Sequence, residues 1–351
     1  MGWIRKLVTV GAVSTGILAI AGGVGGWFGW KHVSAPVVPP ELDVDPVRVT
    51  ISPGSSLRDI SQQLEQDGVL RSPQALEYWM RFRDLEPKAG TFDFDPRWDL
   101  SEIATRLNQG RGVEVRFTIP EGWRITQMAN YFEQLGWFSA EDFIAATEFT
   151  DLPEFDWLPP DLPQLEGWLF PDTYQIPLDA RTPQQVIISM LEQFETSALP
   201  VYREYEQTTP DAERMSLVEW VTLGSIVEKE SVIAEERFEI AGVFTNRLEQ
   251  GIPLAADPTV EYAFNITQTP DRRLTYAEVA QPSPYNTYVN AGLPPTAIAS
   301  PGLASLEATL NPATTENLYF VARYDGSHVF SRTIEEHLAA QRQIIQDRQV
   351  N

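Results

Sequence analysis

Cysteine is absent from this 351-residue chain, and histidine occurs only three times, as His32, His328 and His337. The first absence excludes disulfides, thiolate metal centres and cysteine nucleophiles. The second leaves little for a histidine-rich metal site and few candidates for a Ser-His-Asp triad. Basic residues are scarce too: 26 Lys and Arg against 49 Asp and Glu give a net charge of −23. A nucleic-acid binder needs a basic face to displace counterions from phosphates, so no nucleic-acid partner is expected. Phosphate-loop and dinucleotide fingerprints are missing, and no metal or organic cofactor is indicated. Chemistry in this chain falls to carboxylates.

What is present begins with an uncharged run from Leu7 to Trp30. As a helix rising about 1.5 Å per residue it would be roughly 36 Å long. That suffices to cross a hydrocarbon core of about 30 Å with some tilt. Arg5 and Lys6 precede the run, and Trp3, Trp27 and Trp30 stand where interfacial aromatics belong. The chain then turns acidic at Glu41, Asp43 and Asp45, so the charge bias puts the N-terminus inside and the remainder outside. Val33-Ser34-Ala35 resembles a signal-peptide cleavage site, but the run exceeds a signal peptide's usual 7–15 or so apolar residues. A single retained anchor is the expectation. The Ala35–Pro40 stretch after it, with three prolines, reads as an extended, fairly stiff spacer.

An internal repeat follows. Residues 47–70 (VRVTISPGSSLRDISQQLEQDGVL) and 115–138 (VRFTIPEGWRITQMANYFEQLGWF) align at a constant offset of 68. Val47, Arg48, Gly54 and Gly68 recur as Val115, Arg116, Gly122 and Gly136. Each copy predicts a short strand, a glycine turn and an amphipathic helix closed by glycine. The unit resembles the start of LysM modules, which bind N-acetylated glycans; the plainer alternative is a small packed α+β domain.

Farther on, Ser216 and Glu219 form a capping box before an apolar helix that ends at Glu228-Lys229-Glu230-Ser231. A second helix is expected over about 235–250, with Gly251 closing it, and a third near 303–310. A carboxyl at the end of a buried helix is partly desolvated and stays protonated, as a general acid for a glycosidic oxygen must be. A solvated helix end is the competing reading of the same residues. Asp257-Pro258-Thr259-Val260 reads as a helix start with Asp257 at its cap. Loops rich in Tyr, Asn, Pro and Gly, including Ser283–Tyr288 and Gly292–Pro295, suit a cleft that takes sugars. His328 falls in an expected hairpin turn, Asp325–His328, as a structural group.

These motifs, in this order, resemble the YceG-like family of endolytic murein transglycosylases. They are E-G-W-x-x-P-D-T-Y at 166–174, S-I-V-E-K-E-S at 225–231, E-R at 236–237, V-F-x-N-R-L at 243–248 and D-P-T-V at 257–260. Y-N-T-Y at 285–288, G-L-P-P at 292–295, A-x-x-x-P-G at 297–302 and L-Y-F-V-A at 318–322 complete the set. The resemblance covers the chain from the apolar run to about His337.

The resemblance implies an α+β protein with one transmembrane helix, a small LysM-like α+β subdomain and a mixed α/β catalytic domain. The expected boundaries are a cytoplasmic N-terminus at 1–6, the transmembrane helix at 7–30, a Pro-rich linker at 31–45, the LysM-like part at 46–114 and the catalytic domain at 115–351. It implies a single-pass inner-membrane protein whose periplasmic body cuts nascent peptidoglycan strands, with glycan strands as substrate and penicillin-binding synthases as membrane partners. Glu230, directly before Ser231, takes the catalytic position, rather than Glu228. Glu166, Asp257, Tyr285, Asn286 and Tyr288 are expected around the sugar. Two rival readings remain: a membrane-anchored muramidase that uses water, with Asp257 or Glu166 as second carboxylate, and a non-catalytic glycan-binding scaffold for wall synthases.

Overall fold

Serine and aspartate caps start most of the early helices, and glycines in the left-handed region punctuate the turns between them. A computed structural model describes residues 26–110, 112–148, 152–269, 272–323 and 325–350 of the protein. The chain divides into two compact units, residues 1–115 with 175–180, and residues 116–174 with 181–351.

In the first unit, β1 (Val47–Ile51) leads through α1 (Leu57–Gln66) and α2 (Pro73–Phe82) to β2 (Gly90–Phe94), followed by α3 (Leu100–Gln109). β1 and β2 pair antiparallel, Val49 opposite Phe92. Ser56 and Ser72 cap α1 and α2 by accepting from the amides of Asp59 and Ala75. Val49, Ile60, Leu64, Leu76, Met80 and Phe92, all buried, form the centre of its core.

The repeat is visible in the backbone. β3 (Glu114–Thr118), α4 (Ile125–Gln134), α5 (Ala140–Thr147) and β4 (Thr173–Pro177) repeat the order strand, helix, helix, strand, and β3 pairs with β4. Gly54 and Gly122 take φ of +80° and +72° in the turn after each first strand, where an L side chain is strained. Ser139 caps α5 as Ser72 caps α2. The second copy differs by a long connection, residues 148–172, before its last strand.

The remainder of the second unit is mostly helical: α6 (Pro183–Ser197), α7 (Leu199–Thr208), α8 (Leu217–Glu230), α9 (Arg237–Glu249), α10 (Asp257–Phe264) and α11 (Leu303–Leu310). A hairpin of β5 (Tyr319–Ala322) and β6 (His328–Ser331) precedes α12 (Ile334–Val350). The capping box at Ser216 and Glu219 is formed, and α8 is buried from Trp220 to Val227. Gly224 admits Leu306 of α11, whose Cδ2 would lie 2.8 Å from a Cβ there. Trp220 Nε1 donates to the Leu306 carbonyl at 2.9 Å. The architecture is α+β with three two-stranded sheets among the described residues, so no parallel α/β sheet organises the second unit.

One expectation changes, and one segment gains partners. The stretch after the apolar run is bonded to the first unit. Arg71 donates to the carbonyls of Pro36 and Val37 at 2.8 and 3.0 Å, Val38 N to Pro96 O, and Leu100 N to Ser34 O, which fasten residues 34–38 to the first unit. Proline removes amide donors but leaves carbonyls, and a guanidinium has donors enough to take two of them. Asp257 is the first residue of α10 and not its cap; Ala256 holds the cap position without a side-chain bond. No helix among the described residues is long and apolar enough to cross a membrane, and residues 1–25, most of the expected anchor, lie outside them.

Gly167 and Gly54 separate backbone strain from crowding. Both have positive φ, but a Cβ at Gly167 would sit 2.3 Å from the Ala297 Cβ, whereas nothing lies within 4 Å of one at Gly54. Gly54→Ala is expected to cost about 1 kcal/mol and Gly167→Ala about 2 kcal/mol more, measured by urea unfolding.

Candidate active site

The loop ends of α8, α9 and α10 bring the chemistry together, and α8 is held there by its own last turn. Glu228 points to the start of α11: its carboxylate accepts from Gly302 N at 3.1 Å and Ser305 Oγ at 2.7 Å. A negative charge at a helix N-terminus is favourable because free amides gather there. Arg237 approaches the same carboxylate at 3.8 Å. Lys229 donates to the Gly122 carbonyl at 3.3 Å, and Ser231 Oγ to Val227 O at 2.7 Å. Glu228 is therefore committed.

Glu230 is not. Its carboxyl makes no hydrogen bond and no ion pair among the described residues, and it keeps a small part of its surface open. Burial pushes its pKa up to about 8, helped by the charges of Asp257 and Glu261 and opposed by Arg247. A carboxyl in that state is protonated at neutral pH.

Asp257 accepts from Tyr288 Oη at 2.5 Å and from Gln268 Nε2 at 3.0 Å. Burial and the Asp257 charge both raise the Tyr288 phenol, so it stays a donor. Gln268 Oε1 also accepts from Leu274 N at 3.1 Å, and the Gln268 backbone N–H donates to Glu261 Oε1 at 2.8 Å. A cavity of about 820 Å³ opens here, lined by Asp257, Gln268, Tyr276, Tyr288, Val321 and Arg323. Another of about 790 Å³, against α5 and α6, is largely apolar and distant in sequence from these groups.

Arg247, near the end of α9, fixes the approach to Asp257. It donates to Leu318 O at 2.6 Å, Pro253 O at 3.2 Å and Leu254 O at 2.7 Å, and its guanidinium stacks 4.9 Å from the Tyr319 ring. Ala255, next in the chain, has φ of +47°, a strained value for alanine. Thr287 holds it in place: Thr287 O accepts from Ala255 N, and Thr287 Oγ1 from Ala256 N, both at 3.0 Å.

With this geometry established, likeness to known proteins identifies the lineage. Residues 49–343 match the YceG-like family. The chain belongs to that family. It is 32% identical over 313 residues to the endolytic murein transglycosylase of Bacillus subtilis, spanning 85% of either protein. The endolytic murein transglycosylase of Streptococcus pneumoniae strain D39 is 30% identical over 345 residues, which are 89% of this chain but 61% of the relative. A crystal structure of a YceG-like protein from Listeria monocytogenes superposes with a TM-score of 0.57 at 30% identity, covering 85% of this chain and 100% of that one.

Within this YceG-like chain, Asp257 and Tyr288 are brought together directly, and Glu230 senses Asp257 electrostatically. Tyr285 bonds Thr296 Oγ1 at 2.8 Å and packs 4.9 Å from the Tyr262 ring. Asn286 is fully buried: its amide donates to the carbonyls of Val279 and Gln281, and its oxygen accepts from Tyr288 N. It shapes the loop that presents Tyr288. Glu166, 2% exposed, accepts from Ile125 N at 3.1 Å, and burial pushes it up to about 7. It anchors the start of α4 and offers no open face to a sugar. His328 is buried against Glu236, its Nδ1 2.7 Å from the carboxylate, as a structural group. Sequence reasoning missed Gln268 and treated Arg247 only as part of a motif. Gln268 carries no local signal, whereas an arginine ending an apolar helix beside Asn246 could have drawn attention.

The two glutamates make opposite stability predictions. Glu228→Gln loses charge-assisted bonds at the α11 N-terminus and should cost about 1–3 kcal/mol at pH 7. Glu230 has a folded pKa of about 8 against an ordinary 4.5, so the folded state binds a proton that the unfolded state has lost between those values. Stability of the unaltered protein therefore falls as pH rises through that window. Glu230→Gln removes the slope, so its stability relative to the parent should increase with pH, by on the order of 2 kcal/mol or more at pH 8. Urea titrations at pH 5, 7 and 8 on all three proteins, conditions chosen to lie within the window, check both.

Proposed function

We propose that this protein is an endolytic peptidoglycan lytic transglycosylase that cleaves the β-1,4 bond between N-acetylmuramic acid and N-acetylglucosamine inside nascent strands, ending their elongation. The observation that carries the reading is the Glu230 carboxyl, raised to about 8 and free of hydrogen bonds among the described residues. It is available to give one proton and take one back. Family membership and the names of the Bacillus and Streptococcus relatives support the substrate.

In this mechanism Glu230 protonates the leaving O4 of N-acetylglucosamine as the C1–O4 bond breaks. The resulting carboxylate then takes the proton from the C6 hydroxyl of the muramoyl sugar. O6 attacks C1, closing a 1,6-anhydro ring and regenerating the acid. No water is consumed, and one carboxyl serves both steps, unlike ordinary glycoside hydrolysis with its paired carboxylates. Burial, helped by the Asp257 charge, keeps Glu230 protonated, and the positive charge that develops at C1 falls in a site rich in carboxylates. Tyr288 and Tyr285 offer a hydroxyl and an aromatic face to the sugar, while Asn286 and Glu166 hold the surrounding loops.

The proposal extends to the setting. Residues 7–30 span the inner membrane with the N-terminus in the cytoplasm, and the body works in the periplasm beside peptidoglycan synthases. The first unit is LysM-like, a reading supported by its strand, helix, helix, strand order.

Mass spectrometry of uncrosslinked strands digested by the full chain tests the activity. Internal fragments with 1,6-anhydro ends are expected, with the rate lowered about 10²–10⁴-fold in Glu230→Gln. Reducing ends would turn the reading to a muramidase, and strands bound but uncut would turn it to a scaffold. A general acid with pKa about 8 loses its proton above that pH, so kcat/KM should fall on the alkaline side. Asp257→Asn removes a neighbouring anion, which should move that alkaline limb to lower pH; an unmoved limb would sever the electrostatic link between the two residues.

A further inference from the structure

The first unit carries a cluster of aromatic side chains that the proposed reaction does not use. Trp27, Phe28, Tyr78 and Phe82 are 57%, 60%, 61% and 69% exposed. They are not scattered. Tyr78 and Phe82 stack at 6.0 Å on one face of α2, and Trp27 meets Phe28 at 4.9 Å. Trp30, three residues after Trp27 in the same helical segment, lies 6.1 Å from Tyr78 and 5.7 Å from Trp79. A contiguous apolar patch of this kind marks a surface that something covers.

Position in the chain indicates what covers it. Trp27, Phe28 and Trp30 are the end of the uncharged run from Leu7, the place where a spanning helix would leave the hydrocarbon. Residues 26–33 are helical, and the following residues are fastened at once to the unit by Arg71, Pro96 and Leu100. No slack chain separates the exit point from α2, so Tyr78 stands against Trp30 and Phe82 against Tyr78. Cations are interleaved: Lys31 lies 5.3 Å over the Trp27 ring and Arg83 4.8 Å over Trp79, with Arg81 on α2 as well. On α2 and just after it the acidic residues are Glu77, already paired with Arg81 at 3.2 Å, and Asp84. In a chain of net charge −23, a local group of three cations among aromatics matches the composition of a membrane-interfacial face.

We propose that the exposed face of α2, together with Trp27, Phe28 and Trp30, docks on the outer surface of the same bilayer that holds the N-terminal run. This rests on the reading of residues 7–30 as an anchor. The first unit then lies on the lipid and does not swing at the end of a tether, with α2 in the plane of the headgroups.

The absence of cysteine makes a clean test possible. Single nitroxide labels at Gln74→Cys and Phe82→Cys on α2, and at Gln62→Cys on the exposed side of α1, are placed in the full chain. The chain is reconstituted in vesicles of phosphatidylethanolamine and phosphatidylglycerol. The ratio of relaxation by oxygen to relaxation by a water-soluble nickel chelate is expected to be several-fold higher at 82 and 74 than at 62. Equal, water-like ratios at all three positions in protein that floats with the vesicles overturn the docking and leave the anchor intact. Protein that fails to float overturns the anchor and the docking together. Shielding at 82 that appears only when glycan strands are added, or only at high protein-to-lipid ratio, assigns the face to sugar or to a second copy and overturns the proposal.

Discussion

The site depends on one carboxyl, Glu230, left without a hydrogen bond among the described residues while Glu228 and Asp257 are both bonded. A buried carboxyl ordinarily finds donors, because a bare one costs free energy. Several donors of this region are bonded elsewhere. Lys229 is bonded to Gly122 O, Arg247 to three carbonyls, Gly302 N and Ser305 to Glu228, and Tyr288 and Gln268 to Asp257. A stray donor would settle on Glu230, stabilise its anion and lower its pKa below the range useful for an acid.

That arrangement explains why the surroundings are rigid. Arg247 ties α9 to the segment before Asp257 and to the strand that follows it, and Thr287 fixes the strained Ala255. Thr259 Oγ1 meets Thr287 Oγ1 at 2.9 Å in the same buried network. Strain in a backbone persists only where neighbours over-determine it. Here it aims Asp257 and sets its distance from Glu230, on which the electrostatic support of the protonated state depends.

Much of this was legible in the sequence where partners are close in the chain. The capping box of α8, the span of α11 and the β5–β6 turn follow from spacings of a few residues, and the repeat from self-similarity at an offset of 68. Long-range partnerships were not legible: Glu228 meets Ser305 from 77 residues away, and Arg247 meets Leu318 from 71. Asp257 illustrates the limit. An aspartate before proline at a helix start reads as a cap, but Tyr288 and Gln268 claim its oxygens and leave the cap to Ala256. The partners of the proline stretch were hidden for a related reason, since composition predicts stiffness and cannot reveal that Arg71 takes its carbonyls.

Burial alone would have selected two acids. Glu166 and Glu230 are both pushed up by desolvation, to about 7 and about 8. Hydrogen-bond accounting separates them. Glu166 belongs to the long connection that the second copy of the repeat has acquired, and it spends its carboxyl on the first amide of that copy's helix α4. It ties the extra connection to the repeat it interrupts. Glu230 is the last residue of α8, and a helix C-terminus presents carbonyls rather than free amides. A helix start supplies donors and turns a buried carboxyl into an anchor. A helix end supplies none and leaves it an acid.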